Sequence, residues 1–157
     1  MKSFAAVSKG EKMSKGEIAR NYFLYGYNCS ASVVLAFKDE MEMDEEELKK
    51  LAIGFGGGLA RRRLTCGAVS GMVMVLGKLL TDGENKAEAY EIINRACDEF
   101  ESETGSLICG ELLKGVTVTK GTMPEERTVE YYKKRPCAEL VLIAADITEK
   151  ALKGELK

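Results

Sequence analysis

The sequence predicts a single all-α domain, a bundle of about five or six helices around one buried central helix. Its longer segments carry apolar residues at intervals of three and four, which is the spacing of a helix face. Strand and hairpin signals are weak, and only two prolines occur in the 157 residues. We therefore expect one domain over residues 1–157, with a flexible N-terminus at 1–12 and a loop-rich segment at 116–135.

Three helices are predicted before the glycine cluster at 54–58. Ser14 and Glu17 form a capping box, in which each side chain satisfies a free amide of the other residue. The second helix should cover about residues 28–37, and the third should begin at the acidic run 44–47. The apolar face of the first helix consists of Ile18, Tyr22 and Tyr25.

The central helix is predicted over about residues 65–80, because apolar side chains occur almost all round it. A long amphipathic helix should follow, from the turn at 81–84 to a cap at Gly105. Pro136 suits the first position of a last helix that ends near residue 152. The apolar residues of the central helix are Val69, Met72, Val73, Val75, Leu76 and Leu79, and those on the buried face of the long helix are Tyr90, Ile93, Cys97 and Phe100.

Composition excludes several classes of function. The chain has no histidine, which removes Ser–His and Cys–His nucleophile pairs and every histidine metal ligand. A formal charge of −2 provides no overall field that attracts nucleic acid. No apolar run reaches the ~18–20 residues of a membrane span, and the N-terminal residues lack the core of a signal peptide. We expect a cytoplasmic protein that binds neither nucleic acid nor membrane.

The stretch FGGGLARRRLTCGAVSG, residues 55–71, combines three glycines and three arginines with a cysteine. Its glycines match neither the G-x-G-x-x-G dinucleotide loop nor the P-loop, which needs Gly-Lys-Ser or Gly-Lys-Thr. Three arginines are a weak nucleic-acid signal in a chain without a basic balance. Arg61, Arg62 and Arg63 are therefore either part of a solvated loop or cations that bind an anionic partner or tune Cys66.

Sulfur is the remaining carrier of covalent or metal chemistry. The five cysteines form no Cys-x-x-Cys pair, and a cytosolic compartment keeps most thiols reduced. Free N–H groups and the helix dipole stabilise a thiolate at a helix start, so thiols there should have lowered pKa values. Cys97 lies within a helix, and plain core packing is expected for it. Four cysteines fall in the predicted first turn of a helix: Cys29, Cys66, Cys109 and Cys137.

These four cysteines resemble the pattern of the C_GCAxxG_C_C family, which is named for its cysteines and for which redox activity has been suggested. The resemblance spans roughly residues 20–148, but Thr65 stands where the family label has glycine before its second cysteine. It implies that Cys29, Cys66, Cys109 and Cys137 are the functional set, as catalytic residues or metal ligands, with Cys97 outside it. The matching stretches are GYNCSASVVLAF, FGGGLARRRLTCGAVSGMVMVLG, GSLICGELLKG and RPCAELVLIAADI.

The four cysteines are widely separated, by 37 residues from 29 to 66, by 43 from 66 to 109 and by 28 from 109 to 137. Only the folded chain can bring them together. Gly67, Gly71 and Arg63 are the further residues expected at a bound cofactor. The two glycines keep the surroundings of Cys66 small enough for another cysteine, a metal or a ligand to come close.

Three functions are compatible with this pattern. The four cysteines hold an iron–sulfur cluster for electron transfer or sensing, with all-cysteine zinc as the less favoured metal because structural zinc ligands usually occur in close pairs. Alternatively, reversible cysteine pairs perform thiol–disulfide chemistry without a cofactor. In the third reading the cysteines are unreactive and the bundle is a binding or assembly module. The sequence specifies neither enzymatic turnover nor the redox partner, and it is compatible with a homodimer.

Overall fold

The computed structural model describes residues 12–156, which contain nine α-helices and one 3-10 turn, Ile53–Phe55. No strand occurs among these residues, although Thr65 and Ile108 form an isolated antiparallel bridge. Apart from residue 12, the predicted flexible N-terminus lies outside the described residues. The helices are α1 (Lys15–Leu24), α2 (Cys29–Ala36), α3 (Lys38–Met41), α4 (Glu45–Ala52), α5 (Gly67–Leu80), α6 (Lys86–Thr104), α7 (Cys109–Leu112), α8 (Val129–Lys134) and α9 (Cys137–Leu152).

The predicted all-α class is confirmed, and the structure has a few more helices than expected. Six helices of eight or more residues match the predicted bundle. The additional helices α3, α7 and α8 have four, four and six residues. Such short elements do not repeat an apolar spacing often enough to be visible in a sequence.

The early helices begin at the predicted capping residues. The Ser14 hydroxyl accepts a hydrogen bond from the Glu17 amide at 3.0 Å, as one half of a capping box does. The Asn28 side chain accepts from the Ala31 amide at 2.9 Å, which fixes the first turn of α2. Asn28 also donates to the Ile53 carbonyl at 3.0 Å and so joins α2 to the end of α4.

Helix α5 is the buried central helix, and it packs against α2, α6 and α9. Two of its apolar residues, Val73 and Leu79, are partly buried against the core. The others are fully buried: Val69, Met72, Val75 and Leu76. The predicted start at Thr65 is two residues early, because Thr65 pairs with Ile108 and α5 begins at Gly67.

Two glycines allow close helix contacts around α5. A Cβ added to Gly71 would lie 2.8 Å from the Ser30 carbonyl oxygen, so only glycine admits α2 at this distance. Gly16 in α1 donates its amide to Asp146 in α9 at 2.8 Å, and a Cβ there would overlap that carboxylate. These contacts draw α1, α2, α5 and α9 together and bring three cysteine-bearing helix starts to the same region.

Helix α6 begins at Lys86, a few residues after the predicted turn, and the Asn85 side chain caps it. Ala96 and Phe100 are buried in it, and Cys97 packs half-buried against the core. Tyr90 was expected on the buried face, and this is wrong, because the side chain is 59% exposed. Only the second half of α6 packs deeply in the core. The helical spacing of apolar residues in the sequence therefore extends over more of α6 than the part that is buried.

The segment between α7 and α9 is irregular except for α8. Gly105 ends α6 in the left-handed conformation with φ 97°, as its predicted cap requires. None of the described helices combines the length and apolar character that crossing a bilayer needs.

Candidate functional site

A cavity of about 290 Å³ lies where the starts of α2, α5, α7 and α9 meet. The glycine-rich segment 56–63 and the irregular segment 122–127 also contribute to its wall, together with residues of other segments such as Phe23, Ile53 and Tyr131. Cys97 is not among the lining residues. The four predicted cysteines all line this cavity: Cys29, Cys66, Cys109 and Cys137.

Each of the four cysteines lies at a helix start, as the sequence predicted. Cys29, Cys109 and Cys137 are the first residues of α2, α7 and α9, and Cys66 is the N-cap of α5. Pro136, predicted as the first helical residue, is the N-cap of α9, so the helix begins one position later. Asn28 caps α2 as predicted, whereas Cys66 itself caps α5 and Ile108 caps α7.

Glycines make room for the thiols. A Cβ at Gly67 would lie 2.3 Å from the Cys29 sulfur, so Cys29 packs directly on the backbone of α5. A Cβ at Gly58 would lie 2.7 Å from the Cys109 Cβ. Gly71 was expected at the cofactor, but it does not line the cavity and faces α2 one turn further along α5.

Burial dominates the protonation of the thiols. Burial first, and then charge on the neighbouring Cys29, raises the pKa of Cys66 from 9.0 to about 12 and that of Cys137 from 9.0 to about 11. Burial also raises the pKa of Cys29, although the Gly57 amide donates to its sulfur. The expectation of lowered pKa values is wrong for these three thiols. Backbone amides at Cys29 and Cys66, and Arg135 at Cys137, offset only part of the loss of hydration.

The glycine-rich segment approaches the cavity through an unusual backbone. Residues 57–61 all have positive φ, between 48° and 70°. Leu59, Ala60 and Arg61 each cost roughly 1–2 kcal/mol in this conformation, since their Cβ crowds the backbone. Hydrogen bonds hold the turn, among them one from the Ala60 amide to the Gly54 carbonyl at 2.8 Å. Such retained strain is typical of functional sites.

The three consecutive arginines have three different environments. Arg61 is 13% exposed and donates to the carbonyls of Gly121 and Met123, both at 2.6 Å. Arg63 is half-buried, lines the cavity and donates to the Cys109 sulfur at 3.8 Å. Only Arg62 is an exposed side chain that lines no part of the cavity.

Two further arginines line the cavity, and sequence reasoning missed both. Arg127 stacks on the Phe23 ring at 4.2 Å and donates to the Phe23 carbonyl at 3.0 Å. Arg135, whose side chain is 6% exposed, forms an ion pair with Glu125 and lies 4.6 Å from the centre of the Tyr131 ring. Arg127 lies in the irregular segment 122–127 and Arg135 is the C-cap of the short helix α8, and no spacing in the sequence indicates which side chains turn inward there.

The thiols ring the cavity and do not converge on one point. Over residues 12–156, no three cysteine, aspartate or glutamate side chains are placed to hold a single metal ion. All five cysteines are free thiols.

Fold and cavity together define a small all-α protein in which four helix-start cysteines share an arginine-lined cavity. The family described as "Putative redox-active protein (C_GCAxxG_C_C)" matches residues 27–151, and the chain belongs to this family. The chain is also similar to an uncharacterized protein of Archaeoglobus fulgidus, with 28% identity over 140 residues that cover 82% of this chain and 86% of the relative. No solved structure matches it.

Proposed function

We propose that this protein holds an iron–sulfur cluster on Cys29, Cys66, Cys109 and Cys137 and serves in electron transfer or redox sensing. The supporting observation is that four cysteines from four separate segments line one cavity while the fifth, Cys97, lies outside it. The tendency of cysteine to be buried as a small apolar side chain does not by itself place four cysteines at helix starts around one cavity.

The donor set fits a cluster better than a single ion. A closed zinc site needs four ligands on one metal, and no three of the described side chains are so placed. In a four-iron cluster each cysteine binds its own iron, so the thiols stand further apart and all-cysteine ligation is usual. The cavity of about 290 Å³ provides room between them.

The charges of the cavity suit an anionic group. A cluster with four thiolates is negatively charged, and Arg63 and Arg135 face the same cavity. When bound, the cluster supplies one-electron transfer. The chain's part is to exchange four thiol protons for metal ligation, to keep water out and to hold the cysteines in place. Because burial raises the pKa of Cys66 and Cys137, this exchange releases protons at neutral pH.

A second candidate function rests on the closeness of the cavity thiols to one another. Charge on Cys29 raises the pKa of Cys66 and Cys137, and charge on Cys109 raises the pKa of Cys29, Cys66 and Cys137. Two such thiols form a disulfide by giving two electrons and two protons to an oxidising disulfide substrate. The raised pKa values argue against this reaction at neutral pH, because the attacking species is the thiolate.

Oxygen-free purification tests the proposal. We expect brown protein with sulfide-to-iron absorption in the visible range and iron and sulfide in stoichiometric amount. Cys66→Ala and Cys137→Ala should lose most of the iron. Cys97→Ala is the matched control, since it removes a half-buried cysteine outside the cavity, and it should keep wild-type iron content.

Thiol titration separates the alternatives. A colourless protein that gains two or four thiols on reduction would replace the cluster with the disulfide function. Five thiols that react slowly and alike, and only after denaturation, would leave a non-catalytic helical module. We also propose a cytoplasmic location, which fractionation of the cells tests.

A further inference from the structure

Arg63 has more hydrogen-bond donors inside the cavity than the chain satisfies. Its guanidinium carries five N–H groups. Within residues 12–156, the one acceptor that it reaches is the Cys109 sulfur at 3.8 Å, and no carboxylate forms an ion pair with it. Arg61 contrasts with it, because Thr119, Gly121 and Met123 accept its hydrogen bonds.

The backbone fixes the direction of the Arg63 side chain. Arg63 has φ 62°, a conformation that side-chain-bearing residues rarely adopt. Its amide donates to the Gly57 carbonyl at 3.0 Å, and its carbonyl accepts from the Gly110 amide at 3.1 Å. Arg63 lies beside Cys109 at the start of α7, and hydrogen bonds hold its strained backbone on both sides. Strained backbone of this kind is typical of functional sites.

The cavity carries excess positive charge in an acidic chain. Of the described residues that line it, four are arginines and one is a glutamate, a formal charge of +3, whereas the whole chain has −2. Glu125 pairs with both Arg61 and Arg135. The Arg135 guanidinium has a lowered pKa, mainly through burial and also because Arg63 is close by. Four cations therefore line one cavity with a single carboxylate, and that carboxylate pairs with Arg61 and Arg135 but not with Arg63.

We propose that Arg63 and Arg135 form a binding site for a small oxyanion, a carboxylate or a tetrahedral anion, next to the cavity thiols. Guanidinium forks bind the paired oxygens of such anions through parallel charged hydrogen bonds. The bound anion neutralises the facing cations, and the apolar side chains of Leu112, Leu113 and Leu140 shield it from water. The same two arginines face the proposed cluster, but anion binding needs neither iron nor thiol ligation, so the metal-free protein tests the site independently of the proposed function.

Calorimetric titration of the metal-free, reduced protein with sodium sulfate, and separately with sodium acetate, tests this site. We expect saturable binding of one anion per chain. Arg63→Gln should weaken it by about tenfold or more, since a charged fork is lost, and Arg63→Lys should keep part of the affinity. Arg62→Gln removes the same charge from an exposed neighbour and should bind like wild type. Tighter acetate binding indicates a carboxylate ligand, and tighter sulfate binding indicates a tetrahedral one.

A thermal shift provides the second readout. Sulfate should raise the melting temperature of the wild type and of Arg62→Gln, and it should do so less for Arg63→Gln. Absence of saturable binding in the wild type, or equal binding by Arg63→Gln, overturns the site. Iron analysis distinguishes the two proposals. Protein that contains no iron but binds sulfate would contradict the cluster and support the anion site. Protein that contains iron but binds neither anion, before or after iron removal, would support the cluster and contradict the anion site.

Discussion

Gly67 and Gly77 belong to the same helix and face different surroundings. A Cβ at Gly67 would lie 2.3 Å from the Cys29 sulfur, whereas one at Gly77 would meet nothing within 4 Å. Gly67→Ala should therefore lower the free energy of unfolding by roughly 1–3 kcal/mol through overpacking. Gly77→Ala should raise it by up to about 1 kcal/mol, because alanine favours the helix.

Urea unfolding of the two variants measures this difference. Under the cluster proposal, Gly67→Ala should also reduce the iron content, and Gly77→Ala should leave it unchanged. Equal stabilities for the two variants would mean that Cys29 is not packed on α5 as described.

The Cys66 thiol makes stability depend on alkaline pH. Below 9.0 it is protonated in both the folded and the unfolded chain, so its contribution is complete. Between 9.0 and about 12 only the unfolded chain releases the proton, and stability falls as pH rises. The limiting slope is about 1.4 kcal/mol per pH unit. Unfolding of the reduced, metal-free protein from about pH 9 to 10.5 should be steeper for wild type than for Cys66→Ala.

At the scale of elements, the irregular segment 113–128 depends on Arg61. Its guanidinium binds three successive parts of that segment, at Thr119, Gly121 and Met123. Arg61→Ala should release the segment and speed tryptic cleavage after Lys120 by roughly tenfold, because proteolysis follows the population of the open form. Arg62→Ala, which alters an exposed neighbour, should be cleaved at the wild-type rate.

Elements with local signals were predictable, and those shaped by distant contacts were not. Asn28 and Pro136 mark helix starts in the sequence, so the positions of Cys29 and Cys137 could be inferred. The left-handed run at 57–61 is tied to residues 119–123 through the Arg61 guanidinium, and nothing in Leu-Ala-Arg indicates positive φ. The predicted direction of the thiol pKa shifts was also wrong. Burial is a property of the whole fold, and it raises the pKa of Cys66 more than the helix start lowers it.

The same distinction between local signals and distant contacts applies to the arginines that line the cavity. Arg63 was one of the expected cofactor neighbours because it stands near Cys66 in sequence, and it does line the cavity. Arg127 reaches the cavity from an irregular segment, and Arg135 reaches it from the C-terminal end of the short helix α8. A sequence period describes regular elements, so it carries no information on which side chains of a loop turn inward.

At the scale of the whole molecule, α6 joins the bundle through its second half. Phe100 is fully buried and Tyr90 is 59% exposed, although both fit one helical face in the sequence. Phe100→Ala should cost about 3–5 kcal/mol of unfolding free energy, because it opens a cavity in the shared core. Tyr90→Ala should stay within about 0.5 kcal/mol of wild type. Chemical denaturation followed by circular dichroism measures both; similar losses would contradict the packing of α6.

The origin of the four cavity thiols from four separate segments has a consequence for maturation. Cys137 begins α9, which packs against α1, α2, α5 and α6, so the ring of sulfurs is complete only when the last large helix has docked. In an unfolded chain the four cavity thiols are 28 or more residues apart in sequence. Under the cluster proposal, loading of the cofactor should therefore follow docking of α9.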